Sequence, residues 1–155
     1  MLLYLLRHAD ADTVAATDDA RPLSPKGHRQ GESLAEFCVK HGVKPAVILS
    51  SPLPRARETA EYVAKATKTE LEIHPWIACG MHPERAVEEL KEYRTRTSIM
   101  LVGHEPDLST LVAYLLALPS NSQVNVRKAS LTALELPVYR AGAGRLEFSI
   151  PCKMM

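Results

Sequence analysis

Three short segments of the sequence carry residue types that could do chemistry together. They are Arg7-His8, Ser50-Ser51 with Arg55 close behind, and Gly103-His104, and each comes directly after a short apolar run. Arginine binds phosphate oxygens through two parallel hydrogen bonds, and a neutral imidazole is a competent nucleophile. These residue types therefore favour chemistry on an anionic phosphoryl group.

The apolar runs that precede these segments are residues 2–6, 46–49 and 99–102. Continuous apolar runs of this length are typical of parallel strands buried on both faces, and ligands bind outside the carboxyl ends of such strands. We therefore expect the three segments to meet at one edge of a sheet. Helices that begin there would add free N–H groups and a partial positive charge, which attract anions.

The rest of the chain alternates between helical and strand patterns. Ser24 is a suitable N-cap for a helix that starts at Pro25 and ends near Gly42. The spacing of Gly27 and Gly31 predicts close packing of one helix face on the sheet. Further helices are expected at 52–65, with Ser51 as its cap, and at 83–93 and 106–118; short strands are expected at 71–73, 130–136 and 145–150.

This pattern predicts an α/β fold. Alternation of strands and helices favours a mainly parallel sheet covered on both faces, which is a three-layer αβα sandwich. Residues 145–150 alternate between polar and apolar side chains, and 142–144 read Gly-Ala-Gly, so a hairpin should add an antiparallel strand at one edge.

Composition limits the classes of function. The 155 residues fit a single domain, 1–155, and a net charge of +1 provides no field for nucleic acid. Three widely spaced cysteines do not suggest a disulfide framework, so a cytoplasmic protein is expected. The first apolar run is too short for a signal peptide or a membrane span, so no membrane partner is expected.

Four motifs resemble those of the histidine phosphatase superfamily, also called the phosphoglycerate mutase-like family. The residues are Arg7-His8-Ala9, Arg21–Ser24 with Gly27, Ser50–Pro52 with Arg55, Ala56 and Thr59, and Gly103–Pro106. The small size and the Arg-Pro-Leu turn are most similar to the SixA-type phosphohistidine phosphatases. The resemblance extends over nearly the whole chain, and it is the order and spacing of the motifs that make it specific.

The resemblance implies a role for each of five residues. It makes His8 the nucleophile that becomes phosphorylated, and it makes Arg7, Arg55 and His104 the groups that bind the transferring phosphoryl group. Arg21 is expected to reach the same group.

The chain departs from the superfamily pattern at two points. Ala9 stands where the superfamily has glycine, and an alanine would be strained if the backbone had positive φ there. The acidic residue that protonates an alkoxide leaving group in many relatives has no clear counterpart. Asp10 could supply such an acid or could equally cap the loop.

The remaining polar residues give no further site. His28, His41, His74 and His82 lack the spacing of metal ligands, so no metal and no cofactor are expected. Lys128 could add a cation to the rim of the site, although a solvated lysine is the simpler interpretation.

The sequence therefore predicts a metal-independent phosphatase that acts through a phosphohistidine intermediate. The expected substrate is phosphohistidine on a phosphotransfer protein, because the chain lacks the long insertions that build a deep cap over the site. Two alternatives stay open: a phosphatase for small phosphate esters, and a phosphate-binding module without turnover.

Overall fold

The computed structural model describes residues 1–155 as one six-stranded sheet covered by helices. The strands are β1 (Leu2–Arg7), β2 (Val47–Ser50), β3 (Leu71–Ile73), β4 (Ser98–Gly103), β5 (Leu131–Glu135) and β6 (Arg145–Ile150). Their order across the sheet is β3-β2-β4-β1-β5-β6. The first four strands are parallel, β5 pairs antiparallel with β1, and β6 pairs antiparallel with β5 at the edge.

Four α-helices cover the two faces of the sheet: α1 (Pro25–Lys40), α2 (Pro54–Thr67), α3 (Pro83–Leu90) and α4 (Asp107–Leu115). Leu3 and Leu5 of β1 face the core that contains α3 and α4. Tyr4 and Leu6 face the core that contains α1 and α2, because successive side chains of a strand point to opposite faces. The expected three-layer αβα sandwich is confirmed. No helix has the length and apolar character that a membrane span requires.

Local signals in the sequence predicted the start of α1 correctly and its end to within two residues. Ser24 caps the helix by accepting a hydrogen bond from the Gly27 N–H at 3.0 Å, and Pro25 occupies the first turn. Gly42, just beyond the helix, has φ +67, which glycine adopts without strain. The expectation for α2 was wrong by two residues. The helix begins at Pro54 rather than at Pro52, and its N-cap residue makes no side-chain cap hydrogen bond.

The two glycines inside α1 do not pack on the sheet as expected. A side chain at Gly27 would collide with the backbone carbonyl oxygen of Asp10, in the loop that follows β1. A side chain at Gly31 would collide with the ring of Tyr62 on α2. The glycines therefore allow α1 to approach the loop beside His8 at one point and a neighbouring helix at the other.

Candidate active site

The three polar segments lie side by side at one edge of the sheet. Arg7, the last residue of β1, is in register with Gly103, the last residue of β4. The His8 N–H then donates to the Gly103 carbonyl at 3.1 Å. On the other side of β4, the Ser51 N–H donates to the Val102 carbonyl at 3.0 Å. The parallel register thus brings the ends of β1, β4 and β2 together, as the sequence predicted.

His8 is held as a neutral imidazole with one nitrogen free. Its side chain is buried, and Nδ1 lies 2.7 Å from the Ala9 carbonyl oxygen, which can only accept, so Nδ1 carries the proton. Burial is the main cause that lowers the pKa of His8 to about 3, and the charges of Arg55 and Arg7 lower it further. The lone pair therefore lies on Nε2, the arrangement that a nucleophile needs.

His104 stands beside His8, with 5.2 Å between the centroids of the two rings. Burial, followed by the charges of Arg55 and Arg7, lowers the pKa of His104 to about 4, so this ring is also neutral near pH 7. Its Nε2 lies 2.8 Å from the Ser51 hydroxyl. Its Nδ1 is buried without a hydrogen-bond partner, which is costly unless a ligand atom supplies one.

The Ser51 hydroxyl can set the tautomer of His104. Ser51 Oγ accepts a hydrogen bond from the Leu53 N–H at 3.2 Å, and its own hydrogen can be donated to His104 Nε2. A proton on Nδ1 of His104 would then be available as a donor. Ser51 was expected to cap α2; instead its side chain links the start of that helix to the histidine.

Arg55 projects from the first turn of α2 and is almost completely buried, with 4% of its surface exposed. Its Nη1 donates to the Asp18 carbonyl at 2.7 Å, and its Nη2 lies 3.4 Å from Asp18 Oδ2. The Cys79 sulfur lies 3.7 Å from the same Nη2. Asp18, in the loop after β1, therefore pairs with the guanidinium group that the sequence analysis assigned to phosphate binding.

Arg7 extends from the end of β1 toward the loop before β5. Its Nη1 donates to the Val126 carbonyl at 3.0 Å, and its Nε is buried without a partner. The backbone of this loop is fixed next to the nucleophile, because the Ala129 N–H donates to the carbonyls of Arg7 and His8. Ala129 has φ +52, so the turn approaches His8 through a left-handed residue.

The alanine that replaces the superfamily glycine is accommodated without backbone strain. Ala9 is not among the residues with positive φ, and it is fully buried against Leu23 and Ala129. Its N–H donates to Thr59 Oγ1 at 3.0 Å, and the Thr59 hydroxyl donates to the Arg55 carbonyl at 2.7 Å. Thr59 thus ties the backbone beside the nucleophile to the helix that carries Arg55.

Arg21 is engaged with the loop rather than with the two histidines. Its Nη1 lies 2.9 Å from Asp18 Oδ1, and its remaining nitrogens donate to the carbonyls of Asp12 and Ala11. Asp18 therefore bridges Arg21 and Arg55. A direct contact between Arg21 and a phosphoryl group stays a prediction.

Asp10 has two strong partners of its own. Its Oδ1 accepts from Lys128 Nζ at 2.7 Å and its Oδ2 accepts from the Ser24 hydroxyl at 2.7 Å. These hydrogen bonds hold the pKa of the Asp10 carboxyl below its usual range. An ionised carboxylate cannot donate a proton to a leaving group, so the geometry favours the structural role for Asp10. Lys128 is an ion-pair partner rather than a freely solvated lysine.

The sequence did not predict three contacts in the site: Ser51 with His104, Thr59 with Ala9, and Asp18 with Arg55. The hydroxyl of Thr59 could have been found from its position four residues after Arg55, which places both on one face of α2. Asp18 gave no such signal, because it lies in a loop without periodicity.

The other histidines lie away from these residues. His28 contacts the Tyr62 hydroxyl at 3.0 Å, and His74 pairs with Glu72 at 3.0 Å. No group of three or more His, Cys, Asp and Glu side chains is close enough to hold a metal ion.

Both the sequence and the fold of this chain are similar to those of known proteins. Residues 3–78 match the family model of the histidine phosphatase superfamily (branch 1). An uncharacterized protein of Picosynechococcus sp. (strain ATCC 27264 / PCC 7002 / PR-6) is 33% identical over 95% of this chain and 89% of its own. The chain belongs to the histidine phosphatase superfamily.

Within this superfamily the chain is similar to SixA. The phosphohistidine phosphatase SixA of Escherichia coli (strain K12) is 29% identical over 74% of each chain. The structure of the protein histidine phosphatase SixA complexed with tungstate superposes with a TM-score of 0.87 at 23% identity, covering 99% of this chain and 98% of that one. A putative alpha-ribazole-5'-P phosphatase of E. coli K-12 superposes with a TM-score of 0.82 at 20% identity, covering 100% and 99%. The chain is thus a SixA-like phosphatase of this superfamily.

Proposed function

We propose that this chain removes the phosphoryl group from phosphohistidine on a protein, through a covalent intermediate on His8. The observation that carries the proposal is the fixed tautomer of His8. Nδ1 donates to the Ala9 carbonyl at 2.7 Å, so Nε2 has a lone pair, and a pKa of about 3 keeps it unprotonated at neutral pH. Arg7, Arg55 and His104 are proposed to bind the phosphoryl oxygens.

The first step exchanges one nitrogen–phosphorus bond for another. His8 Nε2 attacks phosphorus, and the bond from phosphorus to the substrate imidazole breaks. The electron pair goes to the departing ring nitrogen, and the other nitrogen of that ring already carries a proton, so neutral imidazole leaves. The positive charges of Arg7 and Arg55 stabilise the phosphoryl group as it transfers.

The second step is hydrolysis of phosphorylated His8. Water attacks phosphorus, the electron pair of the breaking bond returns to Nε2, and both protons of water leave with the phosphate. His8 is again neutral, with its proton on Nδ1 and donated to the Ala9 carbonyl. Neither step uses a general acid from the protein or a metal ion, so metal-independent turnover is part of the proposal.

Trapping the intermediate tests the proposal directly. The chain should acquire label from a phosphohistidine-bearing phosphotransfer protein at early times, and the label should be stable to base and labile to acid, as expected for a phosphoramidate. His8→Ala should acquire none, and activity should survive exhaustive treatment with EDTA. Label that persists in His8→Ala would exclude the covalent step, and activity lost in EDTA and restored by added metal would exclude metal independence.

A phosphatase for small esters is the alternative outcome of the same assay. Faster turnover of a sugar phosphate than of phosphohistidine protein would favour it. Binding of phosphate without any release of product would instead favour a phosphate-binding module.

We further propose that residues 1–155 form one histidine phosphatase domain, because a single sheet takes its strands from residues 2 to 150. A cytoplasmic location is consistent with the three free cysteines, Cys38, Cys79 and Cys152.

A further inference from the structure

A basic groove lies next to the candidate active site. It has a volume of about 370 Å³ and is lined by nine residues, of which only one is hydrophobic. Five of the nine are cations: Arg7, Lys26, Arg127, Lys128 and Lys153. The net charge of the whole chain is only +1, whereas the lining of this groove has five cations and no Asp or Glu.

Most of these cations form no ion pair within the protein. Lys128 forms an ion pair with Asp10, whereas Lys26, Arg127 and Lys153 have no carboxylate oxygen within 4.0 Å. Lys26 also lies in the first turn of α1, which contains no acidic residue. A cation is unfavourable at a helix N-terminus, because the free N–H groups there are themselves partially positive. These charges are therefore arranged for an anion from outside the chain.

The groove is connected to the nucleophile through covalent and hydrogen bonds. Arg7 immediately precedes His8, and its side chain lines the groove while donating to the Val126 carbonyl at 3.0 Å. The loop that carries Arg127 is held against the same point, because the Ala129 N–H donates to the His8 carbonyl at 3.2 Å. On the other side of the groove, Cys152, the residue before Lys153, packs on the buried cluster that contains Ala9.

From this arrangement we propose that the groove binds an acidic surface of the substrate protein, formed by Asp and Glu residues that flank the phosphohistidine. The inference rests on the proposed function. Pockets for small molecules are mostly apolar, with a few polar groups that orient the ligand. This groove has the opposite character, and separated exposed cations suit several carboxylates spread over a protein surface. Such pairs raise the association rate and select the partner.

Two phosphohistidine peptides of equal length provide the test. One carries Asp and Glu on both sides of the phosphohistidine, and the other carries Asn and Gln. The wild-type chain should hydrolyse the acidic peptide with a kcat/KM about tenfold higher at low ionic strength. Added salt should reduce this preference, because surface charges are screened.

Charge-reversal variants test whether the groove causes the preference for the acidic peptide. Arg127→Glu/Lys153→Glu should abolish or invert the preference between the peptides, and Arg127→Gln/Lys153→Gln should bring it close to parity. Lys44→Glu/Arg96→Glu makes the same change in net charge. Lys44 and Arg96 precede β2 and β4, at the amino ends of the parallel strands and away from the groove, so this variant should keep the wild-type preference. Unchanged melting temperatures would show that the variants are folded.

The possible outcomes distinguish failure of the groove inference from failure of the proposed function. Hydrolysis of an activated aryl phosphate and of both peptides with no preference would overturn the groove inference and leave the proposed function standing. No hydrolysis of any of the three would overturn both. A preference retained by Arg127→Glu/Lys153→Glu, or a bisphosphorylated metabolite turned over faster than the acidic peptide, would also overturn the inference.

Discussion

At the scale of single residues, burial keeps His8 neutral, and one hydrogen bond fixes which ring nitrogen carries its proton. The Ala9 carbonyl accepts a hydrogen bond from Nδ1–H, and burial disfavours the imidazolium form, in which Nε2 would have no free lone pair. Two arginines close to the ring act in the same direction. A cationic pocket can therefore contain a neutral nucleophile.

Arg55 and Arg57 form a matched pair on one helix. Arg55 is buried beside Asp18, whereas the Arg57 side chain is 50% exposed and pairs with Glu61 on the outer face. Arg55→Ala should lower kcat/KM by about 30- to 1,000-fold, which corresponds to about 2–4 kcal/mol of transition-state stabilisation. Arg57→Ala should change it little. Steady-state kinetics on phosphohistidine would measure both, and equal losses would contradict the assignment of Arg55 to the phosphoryl group.

Asp10 allows a prediction about the leaving group. Its carboxylate accepts from Lys128 and Ser24, and these bonds hold its pKa low, so it cannot protonate an alkoxide. Missing general-acid catalysis typically costs about 10²–10⁴-fold. Phosphohistidine should therefore have a far higher kcat/KM than an alkyl phosphate, with an activated aryl phosphate between them.

Asp10→Asn is the control for this ranking. The variant should lower the rates of all three substrates by a similar factor, since it loosens a loop rather than removing an acid. A selective loss of alkyl phosphate hydrolysis would instead identify Asp10 as the acid.

At the scale of elements, the site depends on close approach between α1 and the loop after β1. The Ser24 N–H donates to the Asp10 carbonyl at 3.0 Å, and a side chain at Gly27 would collide with that same carbonyl oxygen. The loop in question begins with His8 and Ala9. The first turn of α1 therefore sets the position of the backbone that holds the nucleophile.

Gly27→Ala should destabilise the protein more than Gly31→Ala does. Alanine normally stabilises a helix interior by about 1 kcal/mol relative to glycine. At Gly27 the obstacle is backbone, and overpacking of this kind costs about 1–3 kcal/mol. At Gly31 the obstacle is the Tyr62 ring, a partly exposed side chain that must shift together with its hydrogen bond to His28 but moves at lower cost than backbone. Urea denaturation would measure both, and a larger loss for Gly31→Ala would contradict this account.

Helix α2 shows how one element serves two functions. Arg55 and Thr59 lie one turn apart on its buried face, and Thr59 joins the helix to Ala9 through the hydrogen bond at 3.0 Å. Thr59 thus links the backbone beside the nucleophile to the carbonyl of the arginine on the same helix.

At the scale of the whole molecule, the buried histidines make stability depend on pH. The pKa values of His8 and His104 are about 3 and about 4 in the folded chain, whereas an unfolded histidine titrates near its ordinary value of about 6.5. Between these values the unfolded state binds more protons. The free energy of unfolding should therefore fall as the pH falls from about 6.5 to about 4, by up to about 1.4 kcal/mol per pH unit for each histidine.

Replacing the histidines tests this dependence. His8→Gln and His104→Gln should each have a smaller slope of unfolding free energy against pH over this window than the wild type. His82→Gln, which changes an exposed histidine, should keep the wild-type slope. Chemical denaturation at a series of pH values would give the slopes, and identical slopes in all four proteins would show that the buried rings do not titrate as described.

The sequence by itself determined the elements and which residues stand at their ends. Apolar runs specify buried strands, and Ser24, Pro25 and Gly42 fix the bounds of α1, because these signals act between residues that are close along the chain. Parallel pairing then requires Arg7, His8 and His104 to meet at one edge. The resemblance to the superfamily rests on the same local motifs.

Only the tertiary structure decided the chemical state of those residues. His104 meets Ser51 across 53 positions of sequence, Ala9 meets Thr59 across 50, and Asp10 meets Lys128 across 118. Protonation, tautomer and pairing depend on burial and on partners that folding brings together, and no local pattern encodes them. The basic groove arises in the same way, because its cations come from four separate parts of the chain, at residues 7, 26, 127–128 and 153.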